Sequence, residues 1–140
     1  MAYNEVTVIW DDLDEVSRDQ FHALYLYKDT RTKQILWIGL AYRQTISERW
    51  TCGSKAKFKE WARKQGYQNV HALVGTIDCS QNVTEQLAKD IERLLIHSVQ
   101  PLGNVQHKES CNLSRSDLSV LCIGQWPHRI KEFSYLEVLV

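Results

Sequence analysis

The spacing of apolar and polar residues is most informative between Ala23 and Arg49. There the chain reads as two strands, a tight reversal and the opening of a helix. His22 to Lys28 alternates, so Tyr25 and Tyr27 face one way and Leu24 and Leu26 the other. Asp29 to Lys33 makes the reversal, and Gln34 to Gly39 returns, with Ile35, Leu36, Trp37 and Ile38 in the second strand. A loop of about five residues predicts an antiparallel hairpin. Gly39 is expected to end that strand, and the chain turns helical from Thr45.

The same reading extends to the rest of the chain. Glu5 to Trp10 alternates and is rich in β-branched residues, which predicts a strand. Asp11 to Glu15 suits the first turn of a short helix ending near Phe21. Ser54 can cap a helix to about Gln65, with Gly66 as its stop and Phe58, Trp61 and Ala62 as its inner stripe. Val70 to Asp78 predicts another strand. Val83 to Gln100 predicts the longest helix, with Val83, Leu87, Ile91, Leu94 and Leu95 on its apolar face. Thr84 or Asn82 can cap it, and Pro101 ends it. Leu118 to Ile123 and Phe133 to Leu139 read as late strands. Mixed strands and helices behind a leading antiparallel hairpin give an α+β class.

Composition narrows the setting. The 140 residues suit a single domain, 1–140, with no linker or repeat dividing it. No apolar run is long enough for a membrane span. The N-terminal MAYNEVTVIWDD lacks the basic and apolar regions of a signal peptide, so a cytoplasmic setting is expected. Cys52, Cys79, Cys111 and Cys122 are widely spaced, which predicts reduced thiols and no disulfide framework. The five histidines are too scattered for a zinc site.

The net charge of zero hides an asymmetry. Residues 28–67 hold ten Lys/Arg against three Asp/Glu, whereas residues 1–20 hold six acids and one Arg. A basic middle suits a phosphate-rich partner or a solvated helix face. Lys55, Lys59 and Arg63 form one line along the helix at i, i+4 and i+8.

Glu92 sits on the shoulder of the long helix's apolar stripe. A boundary Glu with a basic neighbour is one account. A ligand for a hard cation is the other, because Mg²⁺ often takes only one or two protein carboxylates plus water and phosphate. From Glu92 the chain reads E-R-L-L-I-H-S-V-Q-P-L-G-N, ending at Asn104.

Ala23-Leu24-Tyr25, Trp37-Ile38-Gly39 after eleven intervening residues, Arg49 in E-R-W, and Glu92, Leu95, Ile96, Pro101 and Asn104 together resemble the GIY-YIG nuclease domain. That family includes homing endonucleases, a bacterial excision-repair incision subunit and some restriction enzymes. The likeness covers about residues 22–105, leaving 1–21 and 106–140 as extensions.

It implies a central three-stranded antiparallel sheet flanked by helices, with extra N- and C-terminal strands. It also implies a face that hydrolyses phosphodiesters in DNA with one Mg²⁺ or Mn²⁺. Glu92 would hold the metal, Arg49 would offset transition-state charge, Tyr25 would position or deprotonate the attacking water, and Asn104 would hold the geometry. Trp37 stands where the second motif has tyrosine. It offers an N–H but no hydroxyl, and reads as an aromatic packed beside the catalytic group. Tyr42 or Tyr27 could supply a replacement phenol, and Gly53 stands where the family commonly has His.

Arg43, Lys55, Lys57, Lys59 and Arg63, with Lys64, would form a DNA-facing edge. A branched duplex or RNA stays open as substrate, and a homodimer is one route to cutting both strands. The alternative reading is a catalytically degenerate GIY-YIG-like module that binds nucleic acid or protein.

Overall fold

A computed structural model describes residues 4–14, 21–79, 82–104, 108, 111, 113 and 117–135, without the side chains of 4, 21, 52 and 54. The elements are β1 (Asn4–Asp12), β2 (Phe21–Asp29), β3 (Ile35–Thr45), α1 (Ile46–Arg49), a π turn (Trp50–Ser54), α2 (Lys55–Gln65), β4 (Val70–Asp78), α3 (Glu85–Val99), β5 (Leu118–Gly124) and β6 (Glu132–Ser134). The class is α+β. The strands form a single mixed sheet in the order β3-β2-β4-β1-β5-β6.

The expected three-stranded antiparallel sheet is therefore too small. β2 pairs antiparallel with both β3 and β4, but β4 does not end the sheet. Its far edge takes β1 in antiparallel register, Thr7 opposite Asp78 and Asp12 opposite Leu73. β1 then pairs in parallel with β5, and β6 closes the order. The N- and C-terminal extensions thus complete the core sheet instead of decorating it. Parallel strands need a long crossover, and everything from β2 to α3 supplies it.

Burial explains the order. Ala23, Leu24, Tyr25, Leu26 and Tyr27 are all at most 4% exposed, so β2 is covered on both faces and must be internal. On one face lies α3, whose Leu87, Ile91, Leu94, Leu95 and Ile96 pack against Val6, Val8, Trp10, Leu24, Leu26 and Ile38. On the other, α1 and α2 cover Ala23, Tyr25, Tyr27 and Val74 with Ile46, Phe58 and Ala62. Each such large apolar side chain contributes roughly 1.5–3 kcal/mol on burial.

Local chemistry sets the joints. Asp29 orders the hairpin loop: its carbonyl accepts from Lys33 N at 2.7 Å and its carboxylate from the Thr32 hydroxyl at 2.9 Å. Thr45 starts α1 through a capping box, exchanging bonds of 3.1 Å with Glu48. Gly53, at φ 96°, breaks the helix between α1 and α2. Thr84, one of the two expected caps, accepts from Leu87 N at 3.1 Å, and Gln100 closes α3 in the left-handed conformation.

Three boundaries differ from expectation. Asp11 and Asp12 extend β1 instead of opening a helix, and residues 15–20 of that expected helix lie outside the described residues. Residues 136–140 of the last expected strand lie outside them too, and β6 spans only Glu132–Ser134. Gly39 does not end β3, which runs on to Thr45. Its role is close approach: Tyr25 is its cross-strand neighbour, and a Cβ on Gly39 would lie 2.3 Å from Tyr25 Cζ. Trp10 lies over Gly75 on the opposite face in the same way, with ring carbons at 2.9 Å from such a Cβ. Glycine inside a strand is tolerated where an aromatic ring fills the missing side chain's space.

Gly39→Ala should cost at least about 1–3 kcal/mol, the range for an overpacked core site. In a Tyr25→Leu background the added cost should shrink, because the clashing ring is gone. Urea unfolding of the four proteins measures the coupling, and additive losses would count against this contact.

Candidate active site

The candidate residues are linked through β3. Asn104 grips the outer edge of this strand: Ile38 N donates to Asn104 Oδ1 at 2.9 Å, and Asn104 Nδ2 donates to Ile38 O at 3.0 Å. Gly103 N adds a bond to Leu36 O at 2.7 Å. Side chain and loop together mimic one more strand at an otherwise open edge. A Cβ at Gly103 would meet Leu36 O and Trp37 Cε3, both at 2.9 Å, so the loop seats only with glycine there. The next residue on β3 after Ile38 is Gly39, over which Tyr25 lies.

From Tyr25 the path continues to the helices. Its ring meets Trp50 edge-on at 6.0 Å, and Trp50 directly follows Arg49 at the end of α1. Arg49 in turn acts on Glu92, one of the partly buried residues of α3. Burial pushes the Glu92 carboxyl up to about 7. The Arg49 guanidinium opposes that rise most strongly, followed by Arg93 and Lys89. Desolvation outweighs three cations, so the ionised carboxylate lacks compensation where it sits.

Trp37 packs edge-on to Phe58 at 5.9 Å and against Gly103. Tyr42 stands apart: its hydroxyl donates to Val83 O at 3.3 Å, and its ring lies 4.3 Å from that of His22, tilted by 36°. His22 and Arg43 form a bulge, both at positive φ, 53° and 56°, with Arg43 N donating to His22 Nδ1 at 3.0 Å. Left-handed backbone at such residues costs roughly 1–2 kcal/mol. The Tyr27 hydroxyl is buried without a hydrogen-bond partner. Burial, with a smaller contribution from Tyr25, raises its pKa far above the ordinary phenol value. It stays protonated and cannot serve as a base.

The basic residues divide. Arg43 belongs to the bulge. Lys55, Lys59 and Arg63 rim a cleft between α2 and the sheet, and Lys57 is exposed on α2 outside that rim. Lys55 Nζ sits 4.3 Å over the Trp50 ring, a cation–π contact. Arg63 pairs with Glu60 at 2.7 Å. Sequence reasoning missed Trp50 and Tyr67, which line the same cleft. The signal was the interleaving of aromatic and basic residues from Trp50 to Tyr67, a pattern suited to nucleic acid.

A metal at Glu92 would have one protein carboxylate. Among the described residues no three His, Cys, Asp or Glu side chains gather. Cys79, Cys111 and Cys122 are free thiols. One carboxylate fits Mg²⁺ or Mn²⁺ only if water and phosphate oxygens complete the shell. The undercompensated Glu92 fits that case, because a divalent ion would supply the missing charge.

The raised pKa has a direct consequence. The folded protein keeps the Glu92 proton up to about pH 7, whereas the unfolded chain releases it near 4.5. Folding stability should therefore fall as pH rises from about 4.5 to about 7, and level off above. Glu92→Gln should remove this part of the pH dependence, and denaturant titrations at several pH values measure it. Identical profiles for the two proteins would refute the shift. Among known proteins, no family model, no curated protein and no solved structure matches the chain.

Proposed function

We propose that this chain is a GIY-YIG-like endonuclease domain that hydrolyses a phosphodiester bond in DNA with Mg²⁺ or Mn²⁺. The observation that carries the reading is Glu92: an acid short of compensating charge, opposed most strongly by Arg49. Their helices join a sheet edge that Asn104 locks. No helix among the described residues is long and apolar enough to cross a membrane.

In this reading Glu92 would hold the metal. Once bound, the ion supplies Lewis-acid polarisation of the phosphate and a template for the attacking water. Arg49 places a permanent cation where the phosphate oxygens gain charge. Tyr25, expected to handle the attacking water, is only 1% exposed; fixed against Gly39 and Trp50, it is a positioning residue beneath the site. Asn104 is a positioning residue, because both of its bonds go to the Ile38 backbone. Trp37 packs on Phe58 and the Gly103 loop and gives no proton.

The position of Trp37 favours a second reading. Where this scheme needs a second phenol the chain has indole, and Tyr42 is turned to Val83 O. A module that binds nucleic acid without cutting it is consistent with that substitution.

Plasmid nicking separates the two readings. Nicking should require Mg²⁺ or Mn²⁺ and vanish in Glu92→Ala. Arg49→Ala should lower the single-turnover rate by about a hundredfold while Kd for DNA changes little. Trp37→Tyr should raise cleavage if the lost phenol throttles the reaction. Tight binding with no cleavage under any divalent ion would establish the binding module instead.

A further inference from the structure

The cleft between α2 and the sheet has a chemistry of its own. Its volume is about 440 Å³, within the usual range for a small-molecule or nucleotide site. One wall is a stack: Tyr27 lies on Phe58 at 4.0 Å with 13° between the planes, and Trp50 lies beyond at 6.1 Å and 23°. Tyr67 forms the opposite end, and is itself stacked on Trp61 at 5.7 Å. Lys55, Lys59 and Arg63 stand along α2 at the rim, and none of the lining residues is acidic. Glu60, the acid nearest to them in sequence, is engaged with Arg63 and Lys64.

Two donors at this wall are unsatisfied. Trp50 Nε1 and Tyr27 Oη are buried and have no hydrogen-bond partner, and Tyr27 as a whole is 4% exposed. An unmade buried bond costs about 1–3 kcal/mol. A planar ring would meet the partly exposed rings of Trp50 and Tyr67, which line the cleft. A phosphate attached to that ring would meet the rim. The combination of aromatic lining and cations at the mouth fits a nucleotide better than an aliphatic or acidic peptide.

The cleft also adjoins the candidate active site. Trp50 belongs to both: it follows Arg49, touches Tyr25 and lines the cleft. We infer that the Tyr27–Trp50–Tyr67 cleft receives one unpaired base of the nucleic acid, its phosphate held by Lys55 and Lys59, next to the strand presented to Arg49. The inference rests on the nucleic-acid reading above and narrows its substrate class. A base inside an intact duplex enters only after unstacking and unpairing, at a cost of a few kcal/mol. The favoured substrate therefore carries an unpaired nucleotide, in a bulge, a flap or a single strand.

Binding without cleavage tests the cleft separately from the nuclease. In EDTA, the protein is titrated into three oligonucleotides carrying 2-aminopurine: a one-base bulge, a single strand and a perfect duplex. The bulge and the single strand should bind roughly tenfold tighter than the duplex, and their 2-aminopurine should be quenched as it stacks. Tyr67→Ala should erase the preference and the quenching, and Tyr67→Phe should retain both. Lys59→Ala should weaken the bulge and the single strand more than the duplex and reduce their salt slope by about one.

Equal binding of all three substrates with unquenched probe would overturn the inference and leave plasmid nicking to decide the nuclease reading. Preference and quenching with no nicking would support the cleft and count against the nuclease. Failure of the protein to bind any of the oligonucleotides would overturn the cleft as a base site.

Discussion

The bidentate grip of Asn104 on Ile38 is the constraint on which the rest of this molecule depends. β3 is the outermost strand on its side of the sheet, and it carries Trp37, Gly39 and the start of the helical segment with Arg49. An outer strand held by one neighbour is free to fray and slip. Here the second neighbour is the loop after α3, which donates from Gly103 to Leu36 and exchanges both bonds with Ile38. That loop directly follows the helix carrying Glu92. One amide side chain thus ties the two elements that bring Arg49 and Glu92 together, although it touches neither.

A second constraint is the aromatic layer between the sheet and α2. Tyr25, Tyr27, Trp50, Phe58, Trp37, Trp61 and Tyr67 are linked ring to ring by contacts of 4.0 to 6.1 Å. Rings have few rotatable bonds, so such a layer positions Tyr25 at low entropic cost. Gly39 is the same economy seen from the strand: giving up a side chain there lets the Tyr25 ring lie across the backbone. Beside this layer lies the cleft edged by Lys55 and Lys59.

How much of this was legible in the sequence depended on the range of the interaction. The strands β2 and β4 and the helices α2 and α3 came from local periodicity, because each buries a face whose spacing is written in consecutive residues. The β1–β4 and β1–β5 pairings were not legible: they join segments more than sixty residues apart in sequence, and nothing local distinguishes β1 as an inner strand. Gly39 was misread as a strand end because glycine signals a break only when no ring covers it. Glu92 was found because a carboxylate on the shoulder of an apolar stripe is visible on a helical wheel. Trp50 was missed because its use comes from the turn at Gly53, whose φ of 96° swings α2 back over the sheet.

Trp37 is the point of chemical tension in the candidate site. A phenol in place of Trp37 would sit beside Phe58 and Gly103, where indole now fills the space up to the loop backbone. Indole is the larger ring, so it braces the Gly103–Asn104 loop more firmly than a phenol could while giving up a titratable group. Firmness at this point matters, because Asn104 reaches Ile38 through that loop. A Tyr at position 37 would therefore bring a titratable group and brace that loop less. Glu92 and Arg49 do not share that cost. Their interaction runs between helices, and its strength is set by desolvation at the margin of the α3 stripe, independently of the residue at position 37.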